Sequence, residues 1–307
     1  MQPIKGIFFK LGSVTLFIVM SSLIKATADH VPPGQAVFFR SFFAIPVIFA
    51  WLLMRGDLAT GLRVKSRLAH FWRGFVGTFA MGLMFAGLGL LPLPEVTAIG
   101  YAAPLLTVIF AAMFLGENVR AFRLAAVALG LVGVIIVLSP RLTVFSGEEV
   151  ARAEALGAML VLMGAVCAAL AQIYVRKLVQ TEQTSAIVFY FSLTSTALSL
   201  LTLPFGWVVP APWEASLLVL AGLLGGTGQI FLTTAYRYAD ASVVAPFDYA
   251  SMLMAILIGY FVFSEVPTAQ MLIGAALVIT AGVAIIWREH SLGLKREKGR
   301  QGMTPQG

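Results

Sequence analysis

The sequence predicts an all-α membrane protein, ten transmembrane helices arranged as two inverted five-helix repeats. Three observations predict it. Of its 307 residues 59% are apolar and only 11% are charged, against about a quarter charged in ordinary soluble domains. Apolar runs of about the 20 residues that a spanning helix needs follow one another with short breaks. The chain also resembles itself at a fixed offset, with five spans in each copy. The composition excludes a soluble enzyme, a nucleic-acid-binding module and a disordered chain. The net charge of +7 does not point to nucleic acid, because the basic residues sit between apolar blocks, where they orient a chain in the lipid bilayer.

The spans fall near 6–26, 34–54, 69–90, 95–115, 121–139, 155–175, 184–203, 214–235, 241–263 and 268–287. In the first, Lys5 and Lys10 stand ahead of the main apolar run, which ends near Ala26-Thr27-Ala28, as in a secretory signal. Its greater length and Lys25 favour a retained helix, which the repeat also needs. The second follows Pro32-Pro33-Gly34 and carries Arg40 and Pro46. The third opens on Arg73 and Gly74 and stops at Leu91-Pro92-Leu93-Pro94. The fourth contains Pro104 and closes at Glu117, and the fifth ends at Ser139-Pro140. The sixth holds Cys167 and Gln172. The eighth follows Pro210-Ala211-Pro212 and holds Gln229. The ninth holds Pro246 and Asp248 and closes at Glu265, and Pro267 introduces the tenth. No segment shows the alternation of a barrel strand. The lone cysteine and three histidines at span ends give no disulfide, metal or cofactor site.

Counting Lys and Arg sets the orientation. With both termini cytoplasmic, sixteen of the 21 basic residues lie on the inner side and three, Lys25, Arg141 and Arg152, on the outer. Arg40 and Arg73 lie in or at the mouth of spans. This bias predicts cytoplasmic termini and an even number of spans, with residues 289–307 as a basic cytoplasmic tail.

A shift of 148 residues aligns 91–117 with 239–265 without a gap, matching Val96 with Val244, Tyr101 with Tyr249, Ala102 with Ala250, Leu105 with Leu253 and Glu117 with Glu265. The same shift pairs Gly74 with Gly222 and Gly77 with Gly225. A shift of 151 pairs Gly6 with Gly157 and Lys25 with Arg176. Residues 5–140 and 154–288 are thus two repeats. Five spans per repeat force the second to enter from the opposite side. Inverted repeats of this kind are a hallmark of secondary transporters, with the binding site near mid-membrane where the halves meet.

Several runs also resemble a known family: FFRSFFA in span two, HFWRGFVGTFAMGLMF opening span three, EVTAIGYAAPLLTVIFAAMFLGENV across four and five, and DASVVAPFDYASMLMAILIGYFVFSEVP across nine and ten. Together they resemble the drug/metabolite transporter superfamily, specifically EamA-type proteins with ten helices, over residues 5 to 287. The chain is similar to alphaproteobacterial riboflavin importers in overall pattern. The resemblance implies an inner-membrane transporter of a small metabolite, with riboflavin uptake the first expectation. Export or import of another metabolite, such as an amino acid or S-adenosylmethionine, is the alternative. An ion channel is a remote one, since no filter repeated around an axis is visible.

Polar residues inside the spans are the site candidates. A charge at bilayer centre costs about 2.5–3.5 kcal/mol on insertion scales. Arg40, among Phe38, Phe39, Phe42 and Phe43, either attracts an anionic or carbonyl-rich substrate or pins span two to neighbouring carbonyls. Arg73 either joins the route or snorkels to the headgroups. Asp248 is a proton-coupling or substrate group, or else the partner of Arg40, Arg73 or Arg237. Tyr101 and Tyr249 either face a central cavity or pack. Gln172 and Gln229 need partners from another helix or from the substrate. Spans six, eight and nine are read as lining more of the route. Glu117 and Glu265 are gate candidates, paired or simply solvated, and Gly74, Gly77 and Gly82 let helices approach closely. No phosphate loop, zinc-protease motif or clustered catalytic set is present, so neither ATP hydrolysis nor another enzyme activity is expected. The sequence leaves the oligomeric state open.

Overall fold

The computed structural model describes residues 3–58, 60–115, 121–141, 149–238 and 245–301. Every regular element among them is helical. In order these are α1 (Pro3–Lys25), α2 (Pro33–Phe42), α3 (Ala44–Arg55), α4 (Arg67–Leu88), α5 (Leu93–Gly100), α6 (Ala102–Leu115), α7 (Ala121–Leu138), α8 (Glu149–Leu178), α9 (Thr184–Leu200), α10 (Pro212–Tyr238), α11 (Ala250–Phe263) and α12 (Ala269–Gln301). A 3-10 turn, Ala245–Tyr249, leads into α11. Six of the apolar stretches are long enough to cross a bilayer alone, and four shorter apolar helices complete the ten spans. Large apolar side chains such as Phe8, Leu53, Met54, Ile135 and Phe261 are exposed on the outside of the bundle. In a membrane protein that surface faces lipid.

Three spans are not single helices, and proline explains two of the breaks. A proline within a helix removes one hydrogen bond and crowds the carbonyl four residues earlier. Pro46 and Pro104 therefore act on Phe42 and Gly100, the last residues of α2 and α5. The chain bends at the next residue, Phe43 or Tyr101, and resumes as α3 or α6. In the second half the corresponding break falls at Tyr249, between the 3-10 turn that contains Pro246 and α11. Tyr101 and Tyr249 are the pair matched by the repeat, so both halves interrupt the same span at the same place.

Helix ends have local causes too. Gly56 ends α3 with φ 68°, and its N–H is donated to the Leu52 and Leu53 carbonyls. Ser264 ends α11 with φ 56°, and the next amide, Glu265 N, bonds the Gly259 carbonyl at 2.8 Å. That is a Schellman-type closure in a residue type that tolerates it poorly. At the start of α4, the Glu182 carboxylate accepts the Lys65 and Ser66 amides at 2.8 and 3.1 Å.

The halves exchange partners as they pack. From the first half, α4 lies on α8 and α9; from the second, α10 lies on α1, α2 and α3; and α7 lies on α12. Glycines set these distances, because without a hydrophobic driving force between helices, close backbone approach supplies the attraction. Gly133 on α7 and Gly274 on α12 face each other so closely that a Cβ on Gly133 would sit 2.7 Å from the Gly274 carbonyl oxygen. By contrast, a Cβ on Gly82 would meet nothing nearer than Val37 Cγ2 at 4.0 Å.

Gly133→Val is expected to lower the melting temperature of the purified protein, by about 1–3 kcal/mol of overpacking. Gly82→Ala should hold or raise it, since Ala is the better helix former. Ser264→Gly should raise it, with the left-handed turn released at a gain of about 0.5–1 kcal/mol. Tryptophan-fluorescence melts in detergent check all three.

Candidate functional site

Among the described residues, two centres of charge lie inside the spans. The first joins the two halves at their helix breaks. Tyr101 and Tyr249 meet edge to face, ring centroids 5.1 Å apart at 70°. The Tyr101 hydroxyl shares a 2.7 Å hydrogen bond with the Ser251 hydroxyl and donates to the Asp248 carbonyl at 3.3 Å. The Tyr249 hydroxyl is seated against Gly282 of α12, where a Cβ would occupy its place. On the residue before Tyr249, the Asp248 carboxylate forms an ion pair with Lys10 of α1, Nζ to Oδ1 2.7 Å. Lys10 is 2% exposed and Asp248 39%, so the lysine is enclosed and the acid opens onto accessible space.

Asp248 thus has a partner, but neither Arg40, Arg73 nor Arg237 provides it. Lys10 does, one of the sixteen residues that the orientation count places on the inner side. It lies seven residues into α1, roughly 10 Å at 1.5 Å per residue, and the charge bias keeps its sign without it. Reading Lys10 as topogenic hid it; its place inside an apolar run was the available signal.

The second centre gathers two arginines on one ring. Arg40 of α2 and Arg73 of α4 are 3% and 6% exposed. Their guanidinium carbons lie 5.2 and 3.6 Å from the centroid of Phe191 on α9. In each, Nε and Nη1 are buried without a hydrogen-bond partner, and neither forms an ion pair with a carboxylate among the described residues. Arg73 therefore does not snorkel to the headgroups, and Arg40 is not pinned through these nitrogens to carbonyls. A desolvated cation–π contact contributes about 2 kcal/mol, whereas the effective cost of burying an ion is several kcal/mol. The ring alone does not offset two guanidiniums. Phe191 was not singled out by the sequence, where it is one phenylalanine of 23.

Glycines make this centre possible. A Cβ on Gly77 would lie 2.5 Å from Arg73 Nη1, and one on Gly225 would lie 3.0 Å from Arg40 Nε. These two glycines are matched by the repeat, and each leaves room for one arginine. One turn beyond Gly225, Gln229 is buried. Gln172 on α8 is half-buried. Among the described residues, no hydrogen bond of either side chain ties it to the two centres.

The end of the bundle opposite the start of α1 is tied across the halves. Lys25 pairs with Glu265 at 2.9 Å and donates to the Leu88 and Leu91 carbonyls at 3.1 and 2.7 Å. The other Glu265 oxygen accepts the Leu93 amide at 2.9 Å. Glu265 is therefore not a solvated helix end. Arg141 bonds Glu95 through Nε and Nη2 at 3.0 and 2.8 Å and also bonds Glu154. Those bonds, Glu95 first and then Glu154, push its pKa up, while partial burial works the other way. His30 Nδ1 lies 2.9 Å from the Glu214 carboxylate, and the Gln35 amide brackets Val208 with two hydrogen bonds. At the opposite end, Ser185 and Tyr190 donate to the Gly61 and Leu62 carbonyls. Glu117 lies outside the described residues.

A model of the EamA-like transporter family matches residues 4–139 and again 155–288. The chain belongs to that family. It is 27% identical to an S-adenosylmethionine uptake transporter of Rickettsia prowazekii over 96% of this chain and 97% of the relative. It is 29% identical to a pseudopaline exporter of Pseudomonas aeruginosa over 91% and 95%, and 28% identical to a riboflavin transporter of Rhizobium johnstonii over 87% and 84%. A solved crystal structure shares the fold with a TM-score of 0.66 at 21% identity, covering 94% of this chain and 98% of that one. The EamA-type protein described here is a multi-pass membrane transporter of a small molecule, not an enzyme. Its relatives differ in both cargo and direction.

Removing Lys10 alone leaves the Asp248 carboxylate without its counter-charge inside the bundle. Lys10→Met is expected to lose about 1–3 kcal/mol, and Lys10→Met with Asp248→Asn to recover most of it. Melting temperatures of the parent, both single variants and the double variant form the cycle; a double variant less stable than Lys10→Met would refute the pairing.

Proposed function

We propose that this EamA transporter carries a small polar metabolite across the inner membrane by alternating access, with both termini cytoplasmic. The observation that carries the reading is the meeting of the two repeat-related helix breaks. Tyr101 and Tyr249 touch where α5–α6 and the 3-10 turn before α11 cross, beside the Lys10–Asp248 pair. Broken helices at a repeat interface are where transporters of inverted symmetry place cargo and coupling ions. Cytoplasmic termini follow from the charge bias, which puts the Lys25–Glu265 tie on the outer face as a gate. Asp248 is the group through which a proton would couple. Tyr101, Tyr249, Asp248, Arg40, Arg73 and Gln229 are the proposed pathway residues.

The cargoes to test are riboflavin, from the resemblance, and S-adenosylmethionine, from the relatives. Radiolabelled uptake of each is measured in bacteria that need the compound and lack their own importer. Saturable uptake of one is expected, reduced at least about tenfold, a barrier change of roughly 1.4 kcal/mol, by Asp248→Asn at matched membrane abundance. An imposed pH gradient then reads coupling. Uptake equal to that of empty cells for both compounds, with the protein inserted, would reject both as imported cargo.

A further inference from the structure

We infer that Arg40 and Arg73 form one oxyanion site, and that the cargo carries a carboxylate or phosphate bound there. The inference rests on the transport reading and names the chemistry of what is carried.

The charge balance motivates it. Two guanidiniums, each more than nine-tenths buried, approach a single Phe191 ring, at 5.2 and 3.6 Å from its centroid. Like charges so placed repel each other, and no carboxylate of the described chain pairs with either. Nε and Nη1 of both have no acceptor. A buried cation left this way strongly destabilises the site unless an anion arrives. Two forks presenting several free N–H donors suit the paired oxygens of a carboxylate or phosphate, to which guanidinium binds bidentately.

The position fits a transported ligand. Arg40 stands seven residues from one end of its span and Arg73 six residues from the opposite end of its own, so the two reach toward mid-membrane from opposite sides. They come from different helices of the first repeat and close on a ring from the second. Any movement of one repeat against the other therefore changes the distance between the guanidiniums and the ring. Gly77 and Gly225 occupy equivalent repeat positions and keep side-chain volume away from both forks. Riboflavin has no oxyanion, whereas S-adenosylmethionine has a carboxylate and riboflavin phosphate has a phosphate.

The test uses the purified full-length chain in a maltoside detergent, which supplies no phosphate, with tryptophan fluorescence following unfolding. Inorganic phosphate is the first probe, against chloride at equal ionic strength. Phosphate is expected to raise the melting temperature of the parent by about 2–4 °C, and to leave Arg40→Gln and Arg73→Gln unmoved. S-Adenosylmethionine should act likewise while its decarboxylated form does not. Equal melting in phosphate and chloride overturns the site even if a variant fails to fold, and so does a phosphate shift that survives in both variants. The two readings separate cleanly. Phosphate protection without uptake of any cargo keeps the site and removes the transport reading. Uptake with an unchanged KM in both variants does the reverse.

Discussion

Inside a bilayer a charge or an unpaired backbone group has no water to turn to, and the rest of this structure is arranged around that constraint. Ten spans place most of the described backbone in helices. Where helices break, at Phe43, Tyr101 and Tyr249, they break against other protein, where neighbouring groups can answer the freed carbonyls. Tyr101 does so directly, reaching the Asp248 carbonyl across the repeat interface. Charges obey the same constraint with a different result at each centre. Lys10 and Asp248 neutralise each other, while Arg40 and Arg73 share a ring and, among the described residues, have no counter-ion. That contrast separates a satisfied pair from the centre inferred to take its counter-charge from the cargo.

Repeat symmetry carries chemistry unevenly. The break, the tyrosines and the glycines beside the arginines are duplicated, yet the charges of the two interior centres are not. Lys10 and Arg40 both come from the first repeat, and so does Arg73; their aromatic and acidic partners come from the second. The scaffold is therefore close to two-fold while the charged side chains of the two centres are divided unequally between the halves.

Much of the fold was legible because hydropathy reports span existence directly, and Pro46 and Pro104 announced two of the breaks. The tyrosine pair was legible through the repeat. Helix facing was not. In a lipid-facing helix both sides are apolar, so nothing in the pattern says that Lys10 points inward, that Phe191 rather than another phenylalanine meets the arginines, or that Gly77 makes room for a guanidinium rather than for a helix. Those are facts of register, set by packing between segments far apart in sequence. Glu265 was visible as a polar residue at a span end, but its tie to Lys25 depends on the left-handed Ser264, whose conformation its identity does not announce.

The exchange of partners between the halves bears on how the protein is made. Helix α4 reaches the membrane with Arg73 and the face it later sets against α8 and α9 already formed, while both of those helices are still unsynthesised. During that interval the arginine and the glycine-lined face need a temporary host, whether the insertion machinery, water at its edge or the earlier helices. Only when span seven is in place does Phe191 arrive. Assembly of the bundle core thus has to wait on the ribosome, and a pause or truncation between the two halves would strand a buried charge in lipid rather than leave a smaller working unit.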